Sequence, residues 1–586
     1  MLHLVDAIAE LSIPLDSQNG GRECYAFSER EDRAFALTTQ MAQALFDRHN
    51  IPREGYEIKT DAIGNLFVTL YGVDRTHIVM AGSHLDSVLQ GGKFDGVAGV
   101  NSAFNFLEHL LQQITAQQTA PQKSYTMAVF RSEESSPKTG VTCIGSRIAT
   151  GTITPDELEK ISYTLDNGKK ISFHEYFKVK YGPEEGELKW QAILSEIANP
   201  PITQNAIVAY EELHIEQSGV CEALDVDVGI VIDGIGGAIR QIVHLPLRSD
   251  LSKTLKIDSP DTHQRITFTF VGQEAHTGGT PPNRTDTVHD SSPWYRKDAL
   301  IGASHFVKQL FERELGDQVQ ILNMSVPELT GFTTVPRLQT IELLVPNSAS
   351  DKVEQFIHHM QEFLEHSLRI DMQWNSKPAV GTMRYLDRSA FLGVEIPLLV
   401  ERLARETVNS QIEQAGSMGV GRVRGTTTDF RIQPGRYSET GEQTTAPSID
   451  FNIDLRDVDP SAIAQMNATI RAEVARIAEE LIHPACGTSP QEALKTVSAK
   501  PYTSVDPVAV EDKTRIAHDL GLNVVKMPSL PGHDAASLGQ IGIPISMTFV
   551  RHDGLSHNSR ETMSHESYAK AELLSHAFLE QRLMQQ

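Results

Sequence analysis

Gly82-Ser83-His84-Leu85-Asp86-Ser87, followed by Gly91-Gly92-Lys93-Phe94-Asp95-Gly96, is the stretch that decides how this chain is read. The apolar run Ile78-Val79-Met80-Ala81 leads into it and reads as a buried strand. Asp95 then stands eleven residues beyond His84. Three more clusters of hard ligands follow short apolar runs in the same way. Tyr125 to Phe130 precedes Glu133-Glu134, Ala206 to Tyr210 precedes His214-Ile215-Glu216-Gln217, and Ile543 to Val550 precedes Ser556-His557-Asn558. In open α/β sheets, sites form at the carboxyl ends of strands. His, Asp, Glu and His at four strand ends predict one metal site assembled from distant sequence.

Composition narrows the classes. The chain has 586 residues, 40% of them hydrophobic, enough for two or more domains and a large core. A formal net charge of −24 argues against sequence-independent nucleic-acid binding and against docking on anionic membranes. Cys24, Cys143, Cys221 and Cys486 are far apart and form no CxxC pair, so neither a disulfide scaffold nor a zinc–thiolate site is expected. The opening Met1-Leu2-His3-Leu4-Val5-Asp6 lacks a basic region, and no uncharged run approaches a membrane span. The expectation is a cytoplasmic protein with reduced cysteines.

The first ~235 residues alternate helix and strand, an α/β pattern. Residues 30–48 and Val97 to Leu111 have helical periodicity, and Gly234-Ile235-Gly236-Gly237 is a turn at which the chain can leave the domain. The middle has a different grain. Two successive units of strand, helix, two strands and helix are expected. The first runs through Gln264–Phe270, Ala299–Glu314, Val319–Pro327, Leu338–Val345 and Asp351–Leu368. The second runs through Ala379–Tyr385, Glu395–Gln414, Val420–Arg431, Pro447–Leu455 and Pro460–Ile482. This element order is that of a duplicated ferredoxin-like unit. The expected domains are 1–237 and 489–586 for a discontinuous catalytic domain, with lid units 238–370 and 371–488 inserted.

His, Asp and Glu without thiolate suit Zn²⁺, Mn²⁺, Co²⁺ or Ni²⁺. A carboxylate such as Asp95 can bridge two ions, and two ions ~3.5–4 Å apart can hold one hydroxide. Of Glu133 and Glu134, one can ligate while the other moves a proton; spacing does not rank them. Each residue also has a bland reading. A lone His after a strand is usually a polar loop residue, Glu-Glu a solvated pair, and His214 with Glu216 two residues on one strand face. The joint occurrence of five candidates at four strand ends favours the metal site. There is no Gly-x-Ser-x-Gly elbow, Walker loop or Gly-x-Gly-x-x-Gly after a strand.

These motifs, with Gly145-Ser146-Arg147, Gly272-Gln273-Glu274-Ala275-His276-Thr277-Gly278, Gly532-His533-Asp534-Ala535 and Gly554 to Glu561, resemble the amidase/carbamoylase branch of the binuclear metallo-aminopeptidase superfamily. That branch holds N-carbamoyl-L-amino-acid hydrolases, allantoate amidohydrolases and β-ureidopropionases. The resemblance implies a zinc-aminopeptidase-like catalytic domain with an α+β lid and two divalent ions, zinc or manganese, or else cobalt or nickel. It makes His84, Asp95, Glu134, His214 and His557 the ligands, with Asp95 bridging and His84 and His214 on opposite ions. Glu133 would be general base and acid, acting on a metal-held hydroxide. Gln217 would contact substrate, His276 would stabilise the oxyanion and Arg456 would grip a substrate carboxylate.

The chain also departs from that family. Its members have one lid unit, and their Asn-x-x-Pro-Gly segment reads Arg431-Ile432-Gln433-Pro434-Gly435 here and Thr333-Thr334-Val335-Pro336 in the first unit, without the Asn. The His motif occurs only in unit one and Asp-x-Arg only in unit two, and extra residues precede Arg296. In dimeric relatives the lid His reaches the partner's site, so either a homodimer or a pseudo-dimeric monomer is expected. The expected function is hydrolysis of a linear C–N bond in an N-carbamoyl amino acid or related ureido acid, a small-molecule substrate. The alternatives are a dipeptidase or N-acyl-amino-acid deacylase with the same metals, and a non-catalytic binding protein on this fold.

Overall fold

The computed structural model describes every residue except 1, 14–19, 90, 118–119, 136–137, 278–295, 314, 328–333, 416–423, 438–442, 483–488, 554–555 and 585–586. Cys486, Gly278, Thr333, Gly554, Leu555, the extra residues after His276 and the start of the strand expected from Val420 lie outside the described residues. The chain divides into two compact units, Met1–Gly236 with Tyr502–Gln586, and Gly237–Pro501.

In chain order the strands used below start with β1 (Tyr56–Thr60), β2 (Leu66–Leu70), β3 (Asp74–His84), β4 (Lys123–Phe130), β5 (Ile207–Ile215) and β6 (Val228–Ile235). The second unit contributes β7 (Gly237–Pro246), β8 (Ser252–Ile257), β9 (His263–Val271), β10 (Gln320–Ser325), β11 (Leu338–Pro346), β12 (Asp371–Pro378), β13 (Gly381–Leu386), β14 (Arg424–Gln433), β15 (Ser448–Asp457) and β16 (Leu494–Lys500). The first unit resumes with β17 (Thr503–Ser504), β18 (Val524–Ser529) and β19 (Ile545–Val550). The helices are α1 (Glu29–Arg48), α2 (Val97–Gln117), α3 (Ala299–Glu312), α4 (Ser350–Phe363), α5 (Glu395–Ala415), α6 (Pro460–Leu481) and α7 (His565–Met584).

The first unit is built on a nine-stranded mixed sheet in the order β1-β2-β4-β3-β5-β19-β6-β17, with β18 on β6. Its four middle strands β4, β3, β5 and β19 run parallel. β4 and β19 are buried along almost their whole length, as strands covered on both faces must be, which is why they read as continuous apolar runs rather than alternating ones. Phe46 of α1, Phe106 and Leu107 of α2, and Leu574 and Phe578 of α7 belong to the core of this unit. A smaller cluster of Phe173, Phe177 and Trp190 with Ile144 and Ile148 anchors the short helix Ile144–Ala149, which follows the Glu133-Glu134 loop. Among the described residues no helix is long and apolar enough to cross a membrane.

The second unit holds a ten-stranded sheet in the order β12-β9-β11-β10-β14-β15-β7-β16, with β8 on β13 and β13 on β10. Side chains alternate. Ile266, Phe268 and Phe270 of β9 and Ile449, Phe451 and Ile453 of β15 enter one core with Phe306, Phe356, Ile470 and Val474 of the helices. The topology corrects the expected tandem arrangement. The elements β9-α3-β10-β11-α4-β12 form one βαββαβ set with spatial order fourth, first, third, second. The elements β7-α5-β14-β15-α6-β16 form a second set with the same order read from the opposite edge. The second set therefore begins at β7, not at the Ala379–Tyr385 run, and the first set is inserted between its first strand and first helix. β8 and β13, which pair antiparallel, are the entering and leaving strands of that insertion. The sets meet where Met324 of β10 lies opposite Ile432 of β14.

Candidate metal centre

His84 and His214 lie at the ends of β3 and β5, and Asp95, Glu134 and His557 stand in the loops that follow β3, β4 and β19. His84 closes β3 and lies opposite Phe130, the last residue of β4; Phe549 of β19 lies opposite His214 of β5. Asp95 stands in the loop between β3 and α2. His84, Asp95, His214, Glu134 and His557 are all at most 4% exposed.

Asp95 is the hub. Its Oδ1 lies 3.2 Å from His214 Nε2 and 3.8 Å from His84 Nε2. Its Oδ2 lies 3.7 Å from His557 Nε2, which is 3.4 Å from Glu134 Oε1. Two groups able to hold a cation therefore share Asp95: His84, Asp95 and His214, and Asp95, Glu134 and His557. This corrects the expected pairing, because His84 and His214 stand on the same side of Asp95. β3 and β5 are adjacent parallel strands, so the side chains at their ends reach the same carboxylate oxygen.

The donor set fits a divalent ion. His84 Nε2 is buried without a hydrogen-bond partner. Buried polar groups are otherwise satisfied as a rule. The opposite ring nitrogens are oriented from behind, with His84 Nδ1 3.1 Å from the Asp86 carbonyl and His214 Nδ1 2.9 Å from the Ile215 carbonyl. That outer contact presents Nε2 as the ligating atom.

Local backbone geometry aims these groups. Ser132, Gln217 and His557 have positive φ, at 56°, 61° and 61°. The left-handed region costs a non-glycine residue roughly 1–2 kcal/mol, and such residues cluster at functional sites. Gly96, at φ +69°, passes so close to the His84 ring that a β-carbon would lie 2.4 Å from Cε1.

Several contributors were quoted in the sequence motifs without a role. Asp86 accepts the backbone N–H of Glu133 at 3.1 Å and of Glu134 at 3.0 Å, so it fixes the turn that carries both glutamates. Its position two residues after His84, on the same strand end, was the available signal. The Cys143 thiol donates to Glu133 Oε1 at 3.3 Å. The His533 ring lies edge-on to His214, 4.6 Å between centroids. Glu561 accepts the Phe94 N–H at 3.2 Å. Glu216, which the bland reading places on one strand face with His214, instead follows the end of β5, where it accepts the Cys221 N–H and the Ser218 hydroxyl and shapes the turn that carries Gln217.

The electrostatics are those of crowded carboxylates. Burial pushes Glu561 up to about 8, helped by the charge of Asp95. Burial also holds Asp534 well above the carboxylate range, with Glu212 and Glu133 adding to it. Burial works against protonation of His214, but Asp95 and Glu212 outweigh it and lift the imidazole to about 9.

Glu133 lies within the same cluster, Oε2 3.8 Å from His84 Nε2. Gln217 donates from Nε2 to Asp95 Oδ2 at 2.9 Å, so it touches the hub itself. His276 and Arg456 are not among these groups; both belong to the second unit. His276 is buried in a two-residue strand opposite Thr334, and Arg456 is buried on β15 against Asp454. Cys24, Cys143 and Cys221 are buried and not joined in disulfides.

No family model matches the chain. It is 29% identical over 209 residues to a ureidoglycolate hydrolase of Arabidopsis thaliana, covering 33% of this chain and 41% of that protein. It is 24% identical over 374 residues to the allantoate amidohydrolase of Escherichia coli, covering 62% of this chain and 74% of that protein. The chain thus spans less than half the length of the Arabidopsis relative. A hydantoinase/carbamoylase-family amidase from Burkholderia multivorans has the same fold, with a TM-score of 0.51, 21% identity, and 99% of this chain and 97% of that one covered. The chain is thus similar to hydrolases named for ureidoglycolate, allantoate and N-carbamoyl-L-amino acids, and it has the mixed α/β fold of the hydantoinase/carbamoylase-family amidases.

Proposed function

We propose that this chain is a binuclear metal-dependent hydrolase of linear C–N bonds, acting on a ureido or carbamoyl acid. The observation that carries the reading is Asp95, whose two oxygens face two separate ligand groups with Glu133 beside them. His84, Asp95 and His214 would hold one ion, and Asp95, Glu134 and His557 the other. Bound there, zinc or manganese supplies Lewis acidity toward the carbonyl and acidifies water.

Glu133 accepts the proton of the attacking water and returns it to the leaving nitrogen. Asp86, through the two backbone N–H groups it accepts, keeps Glu133 and Glu134 in fixed orientation. Gln217 holds Asp95 and orients substrate beside it. His276 carries charge on the scissile carbonyl oxygen, and Arg456 binds the substrate carboxylate as a planar fork.

The lid is two ferredoxin-like units, and nesting bears on assembly. A homodimer would bring two such sets together from two chains; here two sets already share one sheet. This supports a pseudo-dimeric monomer in which His276 serves its own chain. Sedimentation as a dimer, with activity restored on mixing His276→Ala and Glu133→Ala chains, would overturn that assignment.

The test of function is ammonia release by Mn²⁺- or Zn²⁺-loaded protein from ureidoglycolate, allantoate and N-carbamoyl amino acids. Dipeptides and N-acetyl amino acids are followed in parallel by amine release. Metal-dependent ammonia release supports the reading. Amine release alone would move the chain to the dipeptidase or deacylase side, with the missing Asn as the reason.

A further inference from the structure

Asp454 is a buried carboxylate of the second unit with no role so far. It stands two residues before Arg456, so the two share one face of β15, the face opposite Ile453 and Leu455. Asp454 Oδ1 accepts Arg456 Nε at 2.9 Å and Oδ2 accepts Arg456 Nη2 at 3.0 Å, a two-pronged contact. The same Oδ2 accepts Arg240 Nε at 3.3 Å and the Thr277 hydroxyl at 3.4 Å. Arg240 on β7 and Thr426 on β14 lie directly opposite Asp454 on its two sides.

Thr426 continues the connection. Its hydroxyl donates to the Thr277 carbonyl at 3.2 Å and accepts from Arg296, which in turn contacts Glu401. All of these side chains are buried. Thr277 is therefore held from both its hydroxyl and its carbonyl, and His276 is its neighbour in the chain. Burial pushes the Asp454 carboxyl up, but Arg456 and Arg240 outweigh it and hold the pKa below the usual carboxylate range. The group is a charged acceptor, and buried charges of this kind persist only when fully partnered.

We propose that Asp454 is a positioning residue that couples His276 to Arg456. Both oxygens fix the guanidinium of Arg456, and one of them, through Thr277, fixes the turn carrying His276. His276 belongs to the inserted βαββαβ set and Arg456 to the enclosing one, so this carboxylate registers one set against the other. The proposal rests on the roles given above to His276 and Arg456.

The test uses the full metal-loaded chain with Asp454→Asn and Thr277→Val, read by hydrogen–deuterium exchange and by kcat and KM on the best ureido acid of the panel. Asp454→Asn is expected to speed exchange at His276 and Thr277 while leaving α4 unchanged. It should lower kcat and raise KM together, each by about tenfold to a hundredfold, as expected for misplacement of about 1 Å. Thr277→Val, which cuts only one limb, should lower kcat and leave KM within about twofold. A general folding defect would not split the two constants in this way, and Thr277→Val remains informative if Asp454→Asn fails to fold. Unchanged exchange and kinetics in Asp454→Asn, or a KM change in Thr277→Val as large as its kcat change, overturns the proposal. Faster exchange at His276 with unchanged kinetics would show that Asp454 holds the turn and would overturn instead the roles of His276 and Arg456.

Discussion

Gly96→Ala is the substitution whose effect the geometry specifies best. A β-carbon at Gly96 would lie 2.4 Å from Cε1 and 2.5 Å from each ring nitrogen of His84. Carbon contacts are comfortable at about 3.5–4.0 Å, so the imidazole must retreat by about 1 Å. A ligand bond tolerates about 0.2 Å. The left-handed backbone adds roughly 1–2 kcal/mol of strain for alanine. Gly140→Ala is the control, since Gly140 has φ +67° and nothing within 4 Å of the added carbon. Both variants should lose the backbone contribution to stability, but only Gly96→Ala should lose metal. We expect at least about 100-fold weaker binding, about 2.7 kcal/mol, at the group containing His84 and His214. The group containing Glu134 and His557 should keep its ion, so bound metal should fall from two equivalents toward one. Equilibrium dialysis against buffered Zn²⁺ with elemental analysis measures this. Wild-type affinity and stoichiometry in Gly96→Ala would refute both the contact and the assignment of His84 as a ligand.

Glu133→Gln should keep bound metal and lose turnover; a near-wild-type rate would remove Glu133 as the base. Arg456→Lys should mainly raise KM for carboxylate substrates, and an unchanged KM would detach it from the pocket. Lys513 donates to Glu211 at 2.7 Å and to Thr548 at 2.9 Å within the first core. Lys513→Met strands a buried carboxylate and should cost about 3–5 kcal/mol in urea unfolding, most of it recovered by adding Glu211→Leu; a loss under about 1 kcal/mol would contradict this. His576 donates to the Ser102 carbonyl at 3.0 Å, and burial pushes its pKa down to about 4. A folded pKa below the unfolded value of about 6.5 means stability present above that pH and lost as pH falls toward 4. His576→Gln should therefore gain on the parent between those values, and a pH-independent difference would disprove the linkage.

The candidate ligands were legible because parallel strands buried on both faces announce themselves as apolar runs, and hard donors follow each run. Their grouping was not, since nothing local says that the strand ending in His84 lies beside the strand ending in His214. Asp86 was visible as a residue but not as a support, because its partners are backbone N–H groups 47 and 48 residues away. The helices and most strands of the second unit follow from periodicity. Its nesting does not, because β7 is an ordinary alternating strand whose set is completed only after the whole inserted set has passed.

That nesting also has a consequence for folding. The inserted set is complete once residue 378 has been made, whereas Gly237 of β7 must wait for Asp457 of β15, 220 residues later, at a correspondingly larger loop-closure entropy. During synthesis the inner set can therefore fold while β7 remains an unpaired edge. Whatever shields that edge during this interval bears on how much chain reaches the native state.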